Sequence, residues 1–132
     1  MCISLRKAAN NISKLYDNEL SIIDIKITQY SALKNIQDLG NPSLNELSTK
    51  LDLERTTVIR NLEKLKNMDL ISYKRNDTSK IKVISLTLNG IKKLNQAKII
   101  WEKTQKKFLN AFGLDNQSQF NLFINKISKL NF

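Results

Sequence analysis

Residues 43–65 read SLNELSTKLDLERTTVIRNLEKL, and their pattern is the clearest indication of the fold. Ser43 and Glu46 have the spacing of a capping box, in which a hydroxyl and a carboxylate three residues apart satisfy free backbone N–H groups at the start of a helix. The pattern therefore predicts a short helix that opens at residue 43. Its apolar face consists of Leu44, Leu47 and Leu51.

A second, longer helix is expected over about Glu54–Met68, with Asp52 as a candidate cap. Its apolar residues recur at helical spacing and are predicted to form a buried stripe. The stripe consists of Val58, Ile59, Leu62 and Leu65. Two helices joined by a tight turn, the second longer than the first, are typical of a helix-turn-helix.

A β-hairpin is predicted directly after these two helices. β-forming residues are frequent in Leu70–Arg75 and Ile81–Leu86, and the polar run Asn76–Ser79 between them is a turn cluster. A hairpin that follows a helix-turn-helix indicates a winged helix.

Two helices are predicted before this unit. The first, of about 18 residues, has apolar residues at intervals of three and four. They are Leu5, Ala9, Ile12, Tyr16 and Leu20. The second covers about Thr28–Leu39, and Gly40-Asn41-Pro42 ends it. Its inward-facing residues are Tyr30, Leu33 and Ile36.

Two more helices are predicted after the hairpin. Thr87 can cap a long helix over about Leu88–Phe112 that Gly113 ends, and a last helix begins at about Gln117. The aromatic residues of these helices are Trp101, Phe108, Phe112, Phe120 and Phe123. They are more than a terminal helix can bury against a small domain, and isologous pairing with a second copy would cover them. The alternative is that the helices fold back on their own domain.

The predicted fold is mainly α with a small β-hairpin wing, in a single domain over residues 1–132. A winged helix-turn-helix at about residues 25–87 is flanked by dimerisation helices at about residues 1–24 and 88–132.

The second helix of a helix-turn-helix lies in the major groove, where exposed side chains near its N-terminal end reach base edges. The candidates here are Arg55, Thr56, Thr57, Arg60, Asn61 and Lys64. Arg can bind guanine and Asn can bind adenine with two hydrogen bonds each, and Thr offers a hydroxyl or a methyl group. The alternative is that this surface is only the solvated face of an amphipathic helix.

Phosphate contacts are predicted from two other places. Ser43 and the backbone N–H groups of its helix are positioned for a phosphate. The basic residues of the hairpin can follow the DNA backbone or enter the minor groove. They are Lys74, Arg75, Lys80 and Lys82.

The composition agrees with an anionic partner and excludes several kinds of site. The 132 residues include 22 Lys plus Arg and 12 Asp plus Glu, a net charge of +10 that favours double-stranded DNA. Most of the excess lies in residues 89–132, so the charge alone is weak evidence. With one Cys and no His, a disulfide framework, a His or Cys-cluster metal site and the usual Ser-His or Cys-His catalytic pairs are excluded. No cofactor is expected.

The expected cellular location follows from the absence of two sequence features. No apolar run is long enough to span a bilayer, and no signal-peptide pattern opens the chain. We therefore expect a cytoplasmic protein with no membrane partner.

Several segments, in order, carry a resemblance to a known family. They are residues 5–9 and 15–17, Gln29-Tyr30, residues 43–47 and 53–65, Asp69-Leu70-Ile71 and residues 85–90. In this order and spacing they resemble the MarR family of bacterial winged-helix regulators over nearly the whole chain. The resemblance implies a homodimer paired through its terminal helices that binds an inverted-repeat operator. It also implies release when a small molecule or an oxidant acts between the dimer and DNA-binding parts.

The chain departs from the family at the wing. The family's wing usually carries Asp-x-Arg, whereas the matching run here is Asp77-Thr78-Ser79-Lys80, so that Ser79 replaces the Arg. Lys80 can supply a charge but lacks the planar fork of Arg that suits a narrow minor groove. Weaker or less selective wing contact is expected.

Cys2 is a candidate for sensing. In the hydroperoxide-sensing branch of the family, a reactive Cys at this place is hydrogen-bonded by a Tyr at the position of Tyr16, and a second Tyr is expected where this chain has Arg6. A thiolate near a phenol, a helix N-terminus and Arg6 is favoured, and peroxide would oxidise it to sulfenic acid. The alternatives are a Cys without a role, and a small-molecule inducer in an apolar pocket near Tyr16, Tyr30 and the long helix.

The leading hypothesis from sequence is a DNA-binding transcriptional regulator, a repressor, and not an enzyme. The alternative is a winged-helix module that binds an acidic protein partner with the same basic face.

Overall fold

The structure, a computed structural model, describes residues 1–75 and 82–131, without the side chains of Leu114 and Asp115. In this part of the chain six α-helices and one antiparallel hairpin follow each other. The helices are α1 (Cys2–Leu20), α2 (Ile27–Leu39), α3 (Leu44–Leu51), α4 (Arg55–Asn67), α5 (Leu88–Phe112) and α6 (Leu114–Ser128), and the strands are β1 (Ile71–Arg75) and β2 (Lys82–Leu86). A short 3₁₀ turn, Ser21–Ile23, joins α1 to α2. The predicted mainly helical fold with a β-hairpin wing is confirmed.

Local sequence signals set the helix ends that matter for the site. The hydroxyl of Ser43 accepts the N–H of Glu46 at 3.2 Å, and the Glu46 carboxylate accepts the N–H of Ser43 at 3.4 Å, which completes the capping box of α3. The Thr87 hydroxyl accepts the N–H of Gly90 at 3.0 Å at the start of α5. Gly113 ends α5 with a positive φ of 93°.

Two predictions at helix ends are wrong. Asp52 does not cap α4; it ends α3 in the left-handed region with φ 52°, and Glu54 occupies the N-cap of α4. The last helix begins at Leu114 rather than at about Gln117, because Gly113 alone separates it from α5.

The core lies between α2, α3, α4 and the hairpin, and α5 packs against α2 and β2. Its fully buried large side chains include Leu33, Ile36, Leu47, Val58, Leu62, Leu65, Ile84 and Leu94. Ile59 was predicted in the stripe of α4, but its side chain is 40% exposed. Val58, Leu62 and Leu65 already fill the inward face, and Ile59 lies about 100° further around the helix, towards the hairpin.

The hairpin is joined to the rest of the protein at two places. In the middle of β2, the N–H of Ile84 donates to the carbonyl of Pro42 at 2.8 Å, so that the segment before α3 pairs with β2. At its base, the N–H of Thr87 donates to the carbonyl of Leu70 at 3.1 Å. A Cβ on Gly90 would lie 1.9 Å from the same carbonyl oxygen, so the close approach of α5 to the hairpin requires glycine there.

Aromatic side chains join α5 to its neighbours within the chain. Trp101 stacks on Tyr16 of α1 at 6.5 Å between ring centroids and on Tyr30 of α2 at 6.2 Å. Phe108, Phe112 and Phe120 form a second cluster at the corner between α5 and α6. Part of the aromatic surface assigned to a partner copy is therefore packed inside the chain, whereas Phe123 remains 60% exposed.

Among the helices that the structure describes, none is both long and apolar enough to cross a membrane.

Candidate nucleic-acid interface

The polar surface of α4 faces outward, opposite the buried stripe of Val58, Leu62 and Leu65. Four of its predicted DNA-contacting side chains are exposed and two are half-buried. The exposed ones are Arg55, Thr56, Arg60 and Lys64, and the half-buried ones are Thr57 and Asn61. Neither ion pair formed by the described residues involves them. All six donor groups are therefore presented on one helix without a competing carboxylate partner.

A groove separates α4 from the hairpin and the start of α3. Its volume is about 360 Å³, and its floor is apolar. The lining residues are Ser43, Leu44, Asn45, Arg55, Ile59, Leu62, Tyr73, Lys82 and Ile84. Arg55 thus lies beside the groove on the hairpin side of α4, whereas Arg60 lies on the outward side. The two arginines are placed for different contacts.

The strand register divides the basic residues of the hairpin between two faces. Arg75 pairs with Lys82 and Tyr73 pairs with Ile84, and alternate residues of a strand share a face. Arg75 and Lys82 therefore lie on the face that lines the groove. Lys74, opposite Val83, lies on the other face. Sequence alone did not separate these residues.

The wing tip lies outside the described residues. This applies to Lys80 and to the run Asp77-Thr78-Ser79, so the predicted weak contact of this wing with the minor groove stays a prediction.

Tyr73 and Lys66 were missed by the sequence analysis. The Lys66 ammonium lies 5.3 Å from the centroid of the Tyr73 ring, a cation–π contact between α4 and β1. Burial raises the pKa of Tyr73, and the nearby Glu63 carboxylate raises this pKa further. The phenol therefore keeps its proton and can donate a hydrogen bond to a phosphate. The signal in the sequence was an aromatic residue directly before Lys74-Arg75.

Ser43 lies at the rim of the groove and is half-buried. Its hydroxyl oxygen accepts the capping bond from Glu46, which leaves the hydroxyl proton free to donate. A phosphate contact by Ser43 is compatible with its role in the capping box.

The residues predicted to sense a signal are not brought together within one chain. Cys2 is exposed in the first turn of α1, with Arg6 one turn further on. Tyr16 lies fourteen residues along the same helix, about 21 Å away at 1.5 Å per residue. Its hydroxyl donates to Oε1 of Gln105 instead. A hydrogen bond from Tyr16 to Cys2 of the same chain is therefore excluded, and a sensing role for Cys2 stays a prediction.

The predicted apolar pocket beside Tyr16 and Tyr30 is filled by Trp101, which stacks between the two rings. Burial raises the pKa of Tyr16, and burial with the Glu102 and Asp38 carboxylates raises the pKa of Tyr30. Both phenols are neutral at physiological pH.

Comparison with known proteins agrees with this geometry. Residues 26–90 match a family model described as a winged helix DNA-binding domain. No curated protein sequence matches the chain.

Three solved structures illustrate the similarity of the whole fold. A cysteine-to-serine mutant of MarR from E. coli, complexed with operator DNA, is 18% identical with a TM-score of 0.86, over 93% of this chain and 89% of that one. MepR from S. aureus, in a DNA complex, is 21% identical with a TM-score of 0.86, over 98% of each chain. The transcriptional regulator MosR from M. tuberculosis is 25% identical with a TM-score of 0.82, over 98% of this chain and 93% of that one.

Residues 26–90 are therefore similar to winged helix DNA-binding domains. The architecture of the whole chain is similar to that of MarR, MepR and MosR, which confirms the resemblance predicted from the sequence. The proteins that it is similar to are DNA-binding transcriptional regulators and not enzymes.

Proposed function

We propose that the protein is a transcriptional repressor that binds an inverted-repeat operator in double-stranded DNA as a homodimer and is released by a small-molecule or oxidant signal. The observation that carries the proposal is the exposed polar surface of α4, which lies beside the basic groove face of the hairpin. A helix with free Arg, Thr and Asn side chains at its N-terminal end can read base edges in the major groove.

The groove and the hairpin supply the phosphate contacts in this proposal. Arg55 and Lys82 border the groove from α4 and β2, and Ser43 borders it from the start of α3. One DNA strand that passes between the recognition helix α4 and the wing would meet all three side chains. Such contacts fix the position of the protein on the duplex, and Arg60 and Asn61 then supply base selection.

Dimerisation is supported by apolar side chains that the single chain leaves exposed. Several of them lie near the N-terminal end of α1 and along or just after α6: Ile3, Leu5, Leu122, Phe123, Ile124, Ile127 and Leu130. An apolar surface of this extent favours burial against another protein. Two-fold pairing through these helices would present two copies of α4 to successive major grooves, about 34–36 Å apart.

The proposed operator binding is tested by selecting bound sites from random duplex DNA. We expect a palindrome whose half-sites are about one helical turn apart, bound with an affinity that falls steeply as salt increases. Equal retention of all duplexes, with tight binding to an acidic polypeptide, would contradict the proposal and favour the protein-interaction alternative.

The proposed release from DNA by an oxidant is tested with the selected operator and a Cys2 variant. Peroxide is expected to abolish binding by the wild type and to spare Cys2→Ser, because only the wild type can form a sulfenic acid at this position. Equal loss of binding in both proteins would exclude Cys2 as the trigger. If the wild type still binds the operator in the presence of peroxide, the oxidant is excluded as the signal and a small molecule is the remaining candidate.

A further inference from the structure

One polar contact joins side chains of the recognition helix α4 and of the wing in the described part of the chain. The Lys66 ammonium lies 5.3 Å from the centroid of the Tyr73 ring, within the range of cation–π attraction. Neither ion pair there includes a residue of α4 or of the hairpin, and the side-chain hydrogen bond of the two strands runs between Ser72 and Ser85, within the hairpin itself. The contact between Lys66 and Tyr73 is therefore the polar restraint between the two elements.

Lys66 lies over this ring although a carboxylate is close by on its own helix. Glu63 precedes Lys66 by three residues, and residues at this spacing are neighbours on a helix surface. Lys66 nevertheless forms no ion pair with Glu63. Glu63 is also near the phenol, since burial and then the Glu63 carboxylate raise the pKa of Tyr73. The Tyr73 ring thus lies beside an acidic and a basic residue from the C-terminal half of α4.

The contact lies where the core stops fixing the hairpin. Exposure rises along β1 from 2% at Ile71 to 37% at Tyr73. Arg75, further out on the same face of β1, is exposed, and its partner in β2 is Lys82. Lys82 borders the groove from the hairpin, and Arg55 borders it from α4. A restraint at Tyr73 therefore sets how far Lys82 lies from Arg55 across the groove.

We infer that Lys66 and Tyr73 are positioning residues for DNA binding: their contact holds the wing at the distance from α4 at which one DNA strand meets both sides of the groove. A wing that is held in place before binding loses less conformational freedom in the complex. Neither side chain has to touch DNA for this role. The inference rests on the proposed function, because it needs a complex in which α4 and the wing bind the same duplex.

The test is Tyr73→Leu, with affinity for the operator selected by the wild type measured over a range of salt concentrations. The substitution removes the ring but no charge. If the wing shifts, Lys82 leaves its phosphate, and the slope of log affinity against log salt falls by about one for each phosphate contact that is lost. Affinity is expected to fall roughly 5- to 30-fold, because the dimer loses the contact in both copies. A variant that is merely less stable has fewer active molecules but the same slope.

Conservative variants are the matched controls. Tyr73→Phe keeps the ring and is expected to keep the wild-type slope, while loss of the hydroxyl lowers affinity by at most a few-fold. Lys66→Met should reproduce the effect of Tyr73→Leu, whereas Lys66→Arg should not, because a guanidinium also binds an aromatic face. Lys66→Met and Tyr73→Leu combined should lose no more affinity than the larger single loss, since each removes the same contact.

Three results would overturn the inference and leave the proposed function standing, because the wild-type motif does not depend on them. They are a wild-type slope for Tyr73→Leu, a slope for Tyr73→Phe that is lowered as far as that of Tyr73→Leu, and losses of affinity that multiply in the combined variant. No selected motif for the wild type would overturn both the inference and the proposed function.

Discussion

The two exposed surfaces of this protein differ in the partner that they suit. The surface around α4 exposes Arg, Thr and Lys side chains, and its apolar residues other than Ile59 and Leu53 are mostly covered. The start of α1 and the helix α6 expose Ile, Leu and Phe side chains instead, and together they are called the second surface. The polar surface around α4 is stable in contact with water and anions, whereas the apolar side chains of the second surface are more stable when they are buried against protein. In the proposed function, the first surface binds DNA and the second binds another copy of the chain.

The largest expected effect comes from placing a charge on the apolar surface. Phe123→Glu is expected to give a monomer, because a buried unpaired carboxylate would oppose pairing of α6 with a second copy. Operator affinity should then fall roughly 100-fold or more, since the two half-sites are no longer bound together. Light scattering and a binding titration measure both changes.

Ile22→Glu is the control for that experiment, because Ile22 is 80% exposed but lies in the 3₁₀ turn after α1, away from both clusters. It should change neither the mass nor the affinity. A Phe123→Glu protein that stays dimeric would show that α6 is not the pairing surface.

The close contact between the hairpin and α5 is tested by Gly90→Ala. The added Cβ would lie 1.9 Å from the Leu70 carbonyl oxygen, so the hairpin and α5 would have to separate. We expect the free energy of unfolding to fall by about 2 kcal/mol, as for other overpacked sites. Thermal unfolding should show a Tm lower by several degrees, and a Tm equal to that of the wild type would mean that the two elements do not pack this closely.

Arg60→Ala tests base selection by α4. Loss of a guanidinium that binds guanine should cost about 1–3 kcal/mol of operator binding and relax the preference at one position. Lys106→Ala removes an equal charge from an exposed site on α5 that takes part in no described ion pair. If both variants lowered affinity equally and left the motif intact, binding would depend on net charge alone.

The smallest expected effect separates the two faces of the hairpin. Lys82→Ala should weaken binding to all duplexes by a few-fold and lower the slope of log affinity against log salt by about one. Lys74→Ala should leave that slope unchanged, because Lys74 lies on the face away from the groove. Equal slopes for both variants would show that the hairpin does not use the groove face.

Most of the fold could be predicted because its signals are local. The capping box at Ser43, the cap at Thr87 and the stop at Gly113 depend on neighbouring residues, and the structure places them as predicted. The predictions that were wrong depended on packing between distant segments. Helical spacing alone could not show that the hairpin leaves Ile59 exposed, or that Trp101 packs between Tyr16 and Tyr30.

The residues of the candidate interface also divide into those that local sequence signals predicted and those that only contacts between distant segments reveal. Helix periodicity identified the outward side chains of α4, because three apolar residues define the opposite face. The distinction between Lys74 and Lys82 needed the strand register, which contacts such as that between Pro42 and Ile84 fix.

The most direct test of the central claim is methylation interference on the selected operator. Methylation of guanine N7 marks the major groove, where α4 is expected to bind. The account predicts interference at two symmetry-related sets of guanines about one helical turn apart. Interference at a single set, or complete tolerance of N7 methylation, would contradict a paired protein that reads DNA with two copies of α4.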